Sequence, residues 1–295
     1  MKATPTVSTE SNERRGIILS LASIGCFSST ALLLSYANTT YGIDGWVAAA
    51  YRGGTGLVCI SLVQGSTGKL ELSHILTNRL LFLRGLIGGM AIPIFYISVM
   101  EIGAGRAGII TGSYPLFAAF FAMVLIKENV RWTYGIYITI ALLGLVGIFL
   151  DKGIEGGKPV YDLLAVVGAG AAGICVVMIR HLRHTENTSN IFASQCAFTL
   201  IIGSTMAGKS LFITDPAALG VTLLAAVTVV GGQLCITESF RHITVAKGST
   251  LQMLTPATTC VFSALLLGES FGPLEILGGA AILFASCRIA QMKAK

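Results

Sequence analysis

The chain has 295 residues, of which 54% are hydrophobic and only 12% are charged, and its mean hydropathy is +0.78. Soluble domains carry about 25% charged residues, so this composition cannot cover a water-facing surface and predicts a chain embedded in a membrane. It disfavours a secreted enzyme, a nucleic-acid-binding protein and a disordered hub, although the net charge of +6 would otherwise be compatible with nucleic acid.

Ten stretches are long and apolar enough for a membrane helix, which needs about 20 residues. In chain order they cover residues 16–36, 44–64, 80–100, 105–126, 132–150, 161–180, 190–208, 217–240, 245–268 and 272–292. Short connections with helix-breaking residues separate them, and none is long enough for a soluble domain. The sequence therefore predicts an all-α membrane protein with ten transmembrane helices.

The predicted organisation has a polar cytoplasmic tail at residues 1–15, a first unit at 16–150, a linker at 151–160 and a second unit at 161–292. Each unit contains five spans. A cleaved signal peptide is the alternative interpretation of the first span. If that span is retained, the distribution of basic residues between the two sides of the membrane is more consistent.

The distribution of basic residues predicts the orientation of the chain. If the N-terminus is cytoplasmic, 14 of the 20 Lys and Arg residues fall in cytoplasmic segments and 4 fall in outer segments. Arg52 and Arg84 lie within spans. Cytoplasmic loops are enriched in Lys and Arg, so this bias predicts a multi-pass protein of the cell membrane with both termini in the cytoplasm.

Two stretches share a basic residue, a proline in mid-helix and a closing glutamate. They are residues 104–130 and 245–271, which align at an offset of 141. The aligned pairs are Arg106 with Lys247, Pro115 with Pro256, and Glu128 with Glu269. Because five spans is an odd number, the second unit enters the membrane from the opposite side, which predicts two inverted repeats. Compositional similarity between membrane helices is the alternative explanation.

The segment PIFYISVMEIGAGRAGIITGSYPLFAAFFAMVLIKENV, at residues 93–130, resembles the EamA family of the drug/metabolite transporter superfamily. The resemblance covers essentially the whole chain and is weakest in the second and seventh spans. It implies a central substrate cavity formed mainly by spans 3, 4, 8 and 9 and flanked by spans 1, 2, 6 and 7. It also implies transport of a small metabolite, since members often export amino acids and related compounds.

Arg52 lies eight residues into the second span, about 12 Å deep in a hydrocarbon layer of about 30 Å. An arginine at that depth costs at least about 2.5–3.5 kcal/mol unless it faces water or a partner. We expect it either to bind a substrate anion or to join two helices through backbone carbonyls. Arg84 is nearer the start of the third span, and snorkelling to the cytoplasmic interface is the alternative to a place in the site.

Polar and aromatic residues on matched spans complete the predicted site. Gln252 and Thr255 share one face of the ninth span, and the offset of 141 relates them to Thr111 and Tyr114 of the fourth. The predicted substrate-binding residues are Arg52, Tyr96, Tyr114, Gln252, Thr255, Gln233, Thr237, Arg84, Trp46 and Tyr51. Ordinary interhelical hydrogen bonding is the alternative role for the polar members, and interfacial anchoring is the alternative for Trp46.

Three further predictions concern movement and coupling. Pro115 and Pro256 weaken the backbone hydrogen bonds of two matched helices, so both are predicted hinges. Glu238, near the end of the eighth span, is the candidate for carrying a coupling proton, with an interfacial role as the alternative. Glu128 and Glu269 precede the fifth and tenth spans, where a carboxylate complements a helix N-terminus.

Several other motifs lack the context that their chemistry requires. Two GxGxxG matches, at residues 103–108 and 168–173, do not follow a strand, so no dinucleotide site is expected. His181, His184 and Glu186 fall in a loop predicted to be solvated rather than metal-binding. The seven cysteines lie in apolar stretches without a CxxC pair and are predicted to be core residues. No metal, cofactor or catalytic constellation is predicted.

Together these features predict a secondary transporter that moves a small polar metabolite by alternating access, with export of an amino acid or related carboxylate-bearing compound as the specific hypothesis. A nucleotide-, sugar- or drug-like substrate is the alternative within this class, and an intramembrane enzyme or a non-transporting subunit is the alternative outside it. The expected partners are the substrate and the lipid bilayer, without nucleic acid. GxxxG motifs at Gly85 and Gly108 suit packing within one chain or between two, so a homodimer stays open.

Overall fold

The computed structural model describes residues 7–64, 73–126, 133–151, 158–182, 185–239, 242–243 and 251–291, and all secondary structure in these ranges is helical. A 3₁₀ turn, Gly208–Leu211, follows the ninth α-helix. The α-helices, numbered in chain order, are α1 Val7–Tyr41, α2 Gly45–Gln64, α3 Ser73–Thr77, α4 Arg79–Ile102, α5 Ala104–Thr111, α6 Tyr114–Ile126, α7 Thr133–Asp151, α8 Pro159–Leu182, α9 Thr188–Ala207, α10 Pro216–Ser239, α11 Leu254–Leu267 and α12 Pro273–Gln291.

Every predicted span contains at least one of these helices, and the prediction of an all-α membrane protein is confirmed. Within the described residues, five helical segments are long and apolar enough to cross a membrane. They are Glu13–Tyr41, Arg79–Ile102, Pro159–Ile179, Ser189–Leu211 and Pro216–Ser239. Gly135–Ile148 and Leu254–Leu267 are shorter apolar helices. The predicted count of ten spans is compatible with this architecture.

Two boundaries differ from the sequence prediction. Helix α1 begins at Val7 and ends at Tyr41, so much of the tail predicted at residues 1–15 is helical. Glu and Arg are good helix formers, and polar turns readily extend an apolar helix beyond its hydrophobic part. The fourth span is divided between α5 and α6 by a turn at residues 112–113.

Capping residues near the ends of the helices explain where several of them begin. The Asp44 Oδ1 accepts from the Trp46 N–H at 3.1 Å at the start of α2. The Asn78 Oδ1 accepts from the N–H groups of Leu80 and Leu81 at the start of α4. These carboxylate and amide oxygens satisfy donors that have no partner inside the helix. Gly103 ends α4 with a φ of 91°, which lets α5 start at the next residue.

The helices pack in a pattern that repeats when the two halves of the chain are exchanged. Helix α1 packs on α10 and α11, and its counterpart α8 packs on α4 and α6. Helix α2 packs on α10, and its counterpart α9 packs on α4. Two contacts join counterparts directly, α2 with α9 and α7 with α12, and α5 of the fourth span contacts α11 of the ninth. This arrangement is that of two repeats related by an approximate two-fold axis.

Close glycine contacts mark where that axis passes between counterparts. A Cβ atom on Gly144 of α7 would lie 2.6 Å from the Gly278 carbonyl oxygen, and one on Gly278 of α12 would collide with the Gly144 carbonyl oxygen. A Cβ atom on Gly53 would meet the backbone of α9, and one on Gly203 would meet the backbone of α2. Small residues allow such close backbone approach, as is usual between membrane helices.

The outer surface of the bundle is apolar. Large hydrophobic side chains stand exposed on helices from both halves. Examples are Leu62 of α2, Leu143 of α7, Leu265 of α11 and Leu277 of α12. Because monomeric soluble proteins rarely expose so much contiguous apolar area, this surface is the one that contacts lipid.

Candidate substrate-binding site

Arg52 is buried in the middle of α2, a helix whose own sequence contains no acidic residue. Its side chain leaves only 7% of the residue exposed, and within the described residues its Nη1 has no hydrogen-bond partner. The guanidinium lies near enough to Arg84, the Tyr96 hydroxyl and the Cys196 thiol to interact with each electrostatically. The structure therefore brings together three of the predicted site residues.

Arg84 turns towards the interior of the bundle rather than towards the end of α4. Its guanidinium occupies the space beside Gly88, one turn deeper, where an added Cβ would collide with Nη1. Its Nη2 donates to the Gln195 Oε1 at 3.0 Å, and the Gln195 Nε2 donates to the Gly88 carbonyl oxygen at 3.4 Å. Its Nε and Nη1 are buried without a partner among the described residues. The snorkelling alternative does not describe this side chain.

Glycines on α4 bring α9 against this cluster. A Cβ atom on Gly85 or Gly89 would come within 2.7 Å of Phe198 atoms. These residues form the GxxxG motif identified in the sequence, and the structure uses it within one chain. Gln195, which the sequence analysis did not single out, reaches Arg84 because of this close contact. The signal available in the sequence was an amide side chain within the predicted seventh span.

Tyr96 lies on α4 twelve residues beyond Arg84 and packs in the apolar cluster that contains Val47 and Ala48 of α2. Only 3% of the residue is exposed, and its hydroxyl has no partner within the described part of the chain. A buried hydroxyl normally has a hydrogen-bond partner, so this group is available to a ligand.

Trp46 and Tyr51 lie on the first half of α2 but are occupied elsewhere. The Tyr51 hydroxyl donates to the Leu211 carbonyl oxygen at 3.2 Å and holds the 3₁₀ turn after α9. Trp46 is half-buried in the first turn of α2, against the same apolar cluster as Tyr96. Both side chains support the end of the bundle near the cluster.

The polar face of the ninth span contacts α1, with Gln252 just before α11 and Thr255 and Thr259 on it. The Gln252 Nε2 lies 3.4 Å from Oγ of both Ser20 and Ser23, and the Thr255 hydroxyl donates to the Gln252 Oε1 at 3.4 Å. The Thr259 hydroxyl donates to the Ser28 Oγ at 3.1 Å. The serine row of α1 escaped sequence prediction because serine is common in membrane helices. Its spacing along one face was the signal.

On α10 the Thr237 hydroxyl donates to the Gln233 carbonyl oxygen of its own helix at 2.7 Å. Glu238, the coupling candidate, lies in the last turn with 37% of its side chain exposed, and its Oε1 is 3.6 Å from the His242 Nε2. Tyr114 is half-buried as the first residue of α6.

Interrupted helices meet where the two prolines lie. The turn at Gly112 and Ser113 separates α5 from α6 just before Pro115, and a turn at Met253 precedes Pro256. The two turns are related by the offset of 141 residues that aligns the prolines. A Cβ atom on Gly112 would lie 2.8 Å from the Pro256 Cγ, so the two broken segments are in contact.

A buried ion cluster at one end of the bundle was missed by sequence reasoning, which placed Arg106 in an outer turn. The Arg106 Nε and Nη2 donate to both Asp162 carboxylate oxygens at 2.8 and 2.9 Å. Its Nη1 donates to the Glu275 Oε1 at 3.1 Å, and Nη2 also donates to the Ile148 carbonyl oxygen at 3.0 Å. The signal available in the sequence was an acidic residue near the start of each of two apolar spans, Asp162 in α8 and Glu275 in α12.

Two acidic residues differ from their predicted roles. Glu269 does complement a helix N-terminus, but that of α5: its Oε1 and Oε2 accept from the Ala104 and Gly105 N–H groups at 2.7 and 3.0 Å. Its repeat partner Glu128 lies outside the described residues, as does Lys247, the repeat partner of Arg106. Glu186, predicted in a solvated loop, accepts from the Asn78 Nδ2 at 2.8 Å, and its side chain is only 5% exposed.

The pKa of Glu186 is lowered in the folded chain. Burial raises it, but hydrogen bonds from Asn78 and Asn190 and the nearby His74 together lower it by more. The carboxylate therefore stays ionised and joins the start of α4 to the start of α9. Across the described ranges no three His, Cys, Asp or Glu side chains are grouped as a metal would require. His184 lies outside those ranges.

Comparisons with known proteins match this architecture. The model of the EamA-like transporter family matches residues 14–150 and 160–290. The chain is 21% identical over 252 residues to the uncharacterized transporter YyaM of Bacillus subtilis (strain 168), covering 80% of this chain and 81% of that protein. It shares its fold with an experimental crystal structure at a TM-score of 0.59 and 15% identity, over 93% of this chain and 96% of the other. With two matched repeats covering most of its length, this multi-pass membrane protein belongs to the EamA-like transporter family.

Proposed function

We propose that the chain is a secondary transporter of the cell membrane that moves a small, carboxylate-bearing metabolite, such as an exported amino acid, by alternating access. Family membership supports membrane transport as the general activity. The exchange of helix contacts between the halves supports two alternative states, because related repeats can adopt each other's conformations.

The observation that carries the proposal is the burial of Arg52 with an unpartnered Nη1 inside an apolar helix. A charge at membrane depth is expensive unless it has a partner, and such residues usually belong to a substrate or ion pathway. In this proposal Arg52 binds the substrate carboxylate and Tyr96 provides an aromatic wall with a free hydroxyl.

The residues around the broken helices have a second role in the proposal. Tyr114, Gln252 and Thr255 offer hydrogen bonds to the substrate when the α11 face separates from the serines of α1. Pro115 and Pro256 lie in the first turns of α6 and α11, directly after the turns that interrupt the two spans, and allow the segments to bend there. Replacing either proline by alanine is expected to slow transport while leaving thermal stability equal or higher. Pro93, inside the uninterrupted α4, is the matched control.

A proteoliposome screen tests the function directly. Purified protein is assayed with amino acids, other carboxylates, nucleotides and sugars, with and without a pH gradient. We expect uptake of a carboxylate-bearing compound and its loss in Arg52→Ala. Transport at the wild-type rate in that variant would remove Arg52 from the site. If the pH gradient changes the rate of uptake and Glu238→Gln abolishes that change, Glu238 is supported as the coupling residue. If the variant responds to the gradient as the wild type does, Glu238 is excluded from that role.

A further inference from the structure

The feature that carries a further inference is a pair of buried arginines without a counter-charge in the described part of the chain. Arg52 and Arg84 are 7% and 5% exposed, and three of their nitrogen atoms have no partner within the described residues. Both pack against the same turn of α9: an added Cβ on Gly53, next to Arg52, would meet the Cys196 carbonyl oxygen, and Arg84 donates to the neighbouring Gln195. The side chains that accompany them, Gln195 and Tyr96, are neutral.

The helices around the pair contain almost no negative charge. In α2, α4, α8 and α9 the sequence has two acidic residues, Glu101 and Asp162. Glu101 is in the last turn of α4 and binds the Lys158 Nζ at 2.7 Å. Asp162 is in the first turn of α8 and binds Arg106 through both oxygens. Neither carboxylate is free to neutralise the arginine pair.

The position of the pair suits a molecule inside the bundle. Arg52 lies seven residues, or about 10 Å, from the start of α2, and Arg84 lies five residues, or about 8 Å, from the start of α4. The Arg84 guanidinium extends further inward over Gly88, which provides the space, while Gln195 fixes its orientation. The unpartnered nitrogens thus belong to two rigidly placed forks that bind carboxylate or phosphate oxygens well.

We propose that Arg52 and Arg84 together bind a compact dianion, either a dicarboxylate or a phosphate monoester, and that this dianion is the transported substrate. The inference rests on the proposed transport function: a dicarboxylate narrows the substrate class given there, and a phosphate monoester replaces it. A zwitterionic amino acid neutralises one guanidinium but brings an ammonium group towards the second. A dianion neutralises both, and the Tyr96 hydroxyl provides an additional donor beside it.

Matched pairs of ligands test the charge requirement. Binding to the purified full chain is measured by titration calorimetry at pH 7.5 with succinate and with succinamate, which has the same skeleton and one charge fewer. Methyl phosphate and dimethyl phosphate form the second pair. We expect at least one dianion to bind about 30-fold or more tightly than its matched monoanion, and the pair that discriminates identifies the acid group. Equal binding within both pairs would overturn the proposal.

Variants assign the discrimination to the two arginines. Arg52→Gln and Arg84→Gln are each expected to reduce the preference for the dianion to about threefold or less, whereas Arg288→Gln, at an exposed arginine of α12, retains it. If a glutamine variant does not fold, Arg52→Lys and Arg84→Lys keep the charge and should keep the preference at lower affinity. Full preference in both glutamine variants, or its loss in both folded lysine variants, would contradict the assignment.

Transport measurements separate this inference from the proposed function. Uptake of zwitterionic or neutral compounds without binding of either dianion would overturn the dianion site and leave the transporter intact. Charge-selective binding without movement of any compound across the proteoliposome membrane would support the site and reject the transport function.

Discussion

Three arginines are buried in the described part of the chain, and their partners divide them into two kinds. Arg106 donates to two carboxylates and one carbonyl oxygen, so its desolvation is compensated within the protein. Arg52 and Arg84 keep unpartnered N–H groups. Since unpaired buried charge is costly, Arg106 has a structural role, and Arg52 and Arg84 are the two that we propose bind a ligand.

Breaking the Arg106 cluster should strongly destabilise the bundle. Asp162→Asn leaves a buried guanidinium with one carboxylate fewer, and we expect a loss of about 3–5 kcal/mol, seen as a lower melting temperature in detergent. Glu101→Gln, which breaks the exposed contact with Lys158, is the matched control and should cost at most about 1 kcal/mol. Equal losses in the two variants would show that the buried cluster is not more important than an ordinary surface pair.

The stabilising effect of Glu186 should depend on pH. Its lowered pKa means that the folded chain binds the proton more weakly than the unfolded chain, so its contribution is present above the ordinary value of 4.5 and is lost as pH falls through the folded value. Glu186→Gln should therefore lower stability by about 1 kcal/mol at pH 7, and this difference should shrink as the pH falls below 4.5. Melting curves of the wild type and the variant over this pH range measure the stability difference. A difference that does not change with pH would contradict the prediction.

At the scale of elements, glycine decides how closely helices approach. Gly85 and Gly89 let α4 contact Phe198 of α9, and this contact brings Gln195 to Arg84. Gly88, between them, leaves space for the guanidinium instead of a helix. One five-residue stretch, residues 85–89, therefore sets both the helix contact and the space beside Arg84.

Alanine substitutions distinguish contact glycines from free ones. In Gly89→Ala the new Cβ lies 2.6 Å from the Phe198 Cβ and 3.0 Å from its backbone, so we expect a loss of about 1–3 kcal/mol. Gly25 of α1 has nothing within 4 Å of the same position, and Gly25→Ala should add about 0.5–1 kcal/mol by its helix propensity. Melting temperatures of the two variants should move in opposite directions, and a shift in the same direction would be inconsistent with the contact.

At the scale of the whole molecule, the two halves exchange equivalent contacts and hold each other together. The Arg106 cluster and the Glu269 cap both cross from one repeat to the other near the start of α5. Glu186 and Asn78 join the repeats where α4 begins. A transporter that alternates between two states must loosen one such set of contacts at a time.

The distribution of basic residues makes the orientation testable. We expect both termini to be cytoplasmic and the linker at residues 151–160 to be outside, following the bias of 14 to 4 in Lys and Arg. A reporter enzyme active only outside the cytoplasm should be active when fused after residue 155 and inactive when fused after residue 295. The reverse pattern, or equal activity at both positions, would contradict the predicted orientation.

The order of apolar stretches and the paired special residues were sufficient to predict the helical fold, its two repeats and the family. Those features are local or periodic, because a membrane helix must satisfy its backbone within one segment of about 20 residues. The same reasoning identified Arg52, since a charge in such a segment is conspicuous. It also located the broken helices, because proline acts on its own backbone.

The partners of each polar side chain were decided by the tertiary structure. Whether Arg84 turned outward or inward depended on the space beside Gly88 and on Gln195, which is over one hundred residues away. Arg106 found Asp162 and Glu275, and Gln252 found the serines of α1, through helix contacts between the halves. Hydropathy predicts which helix contains a residue. The hydrogen-bond and ion-pair partners of its side chain lie on other helices, which only folding brings beside it.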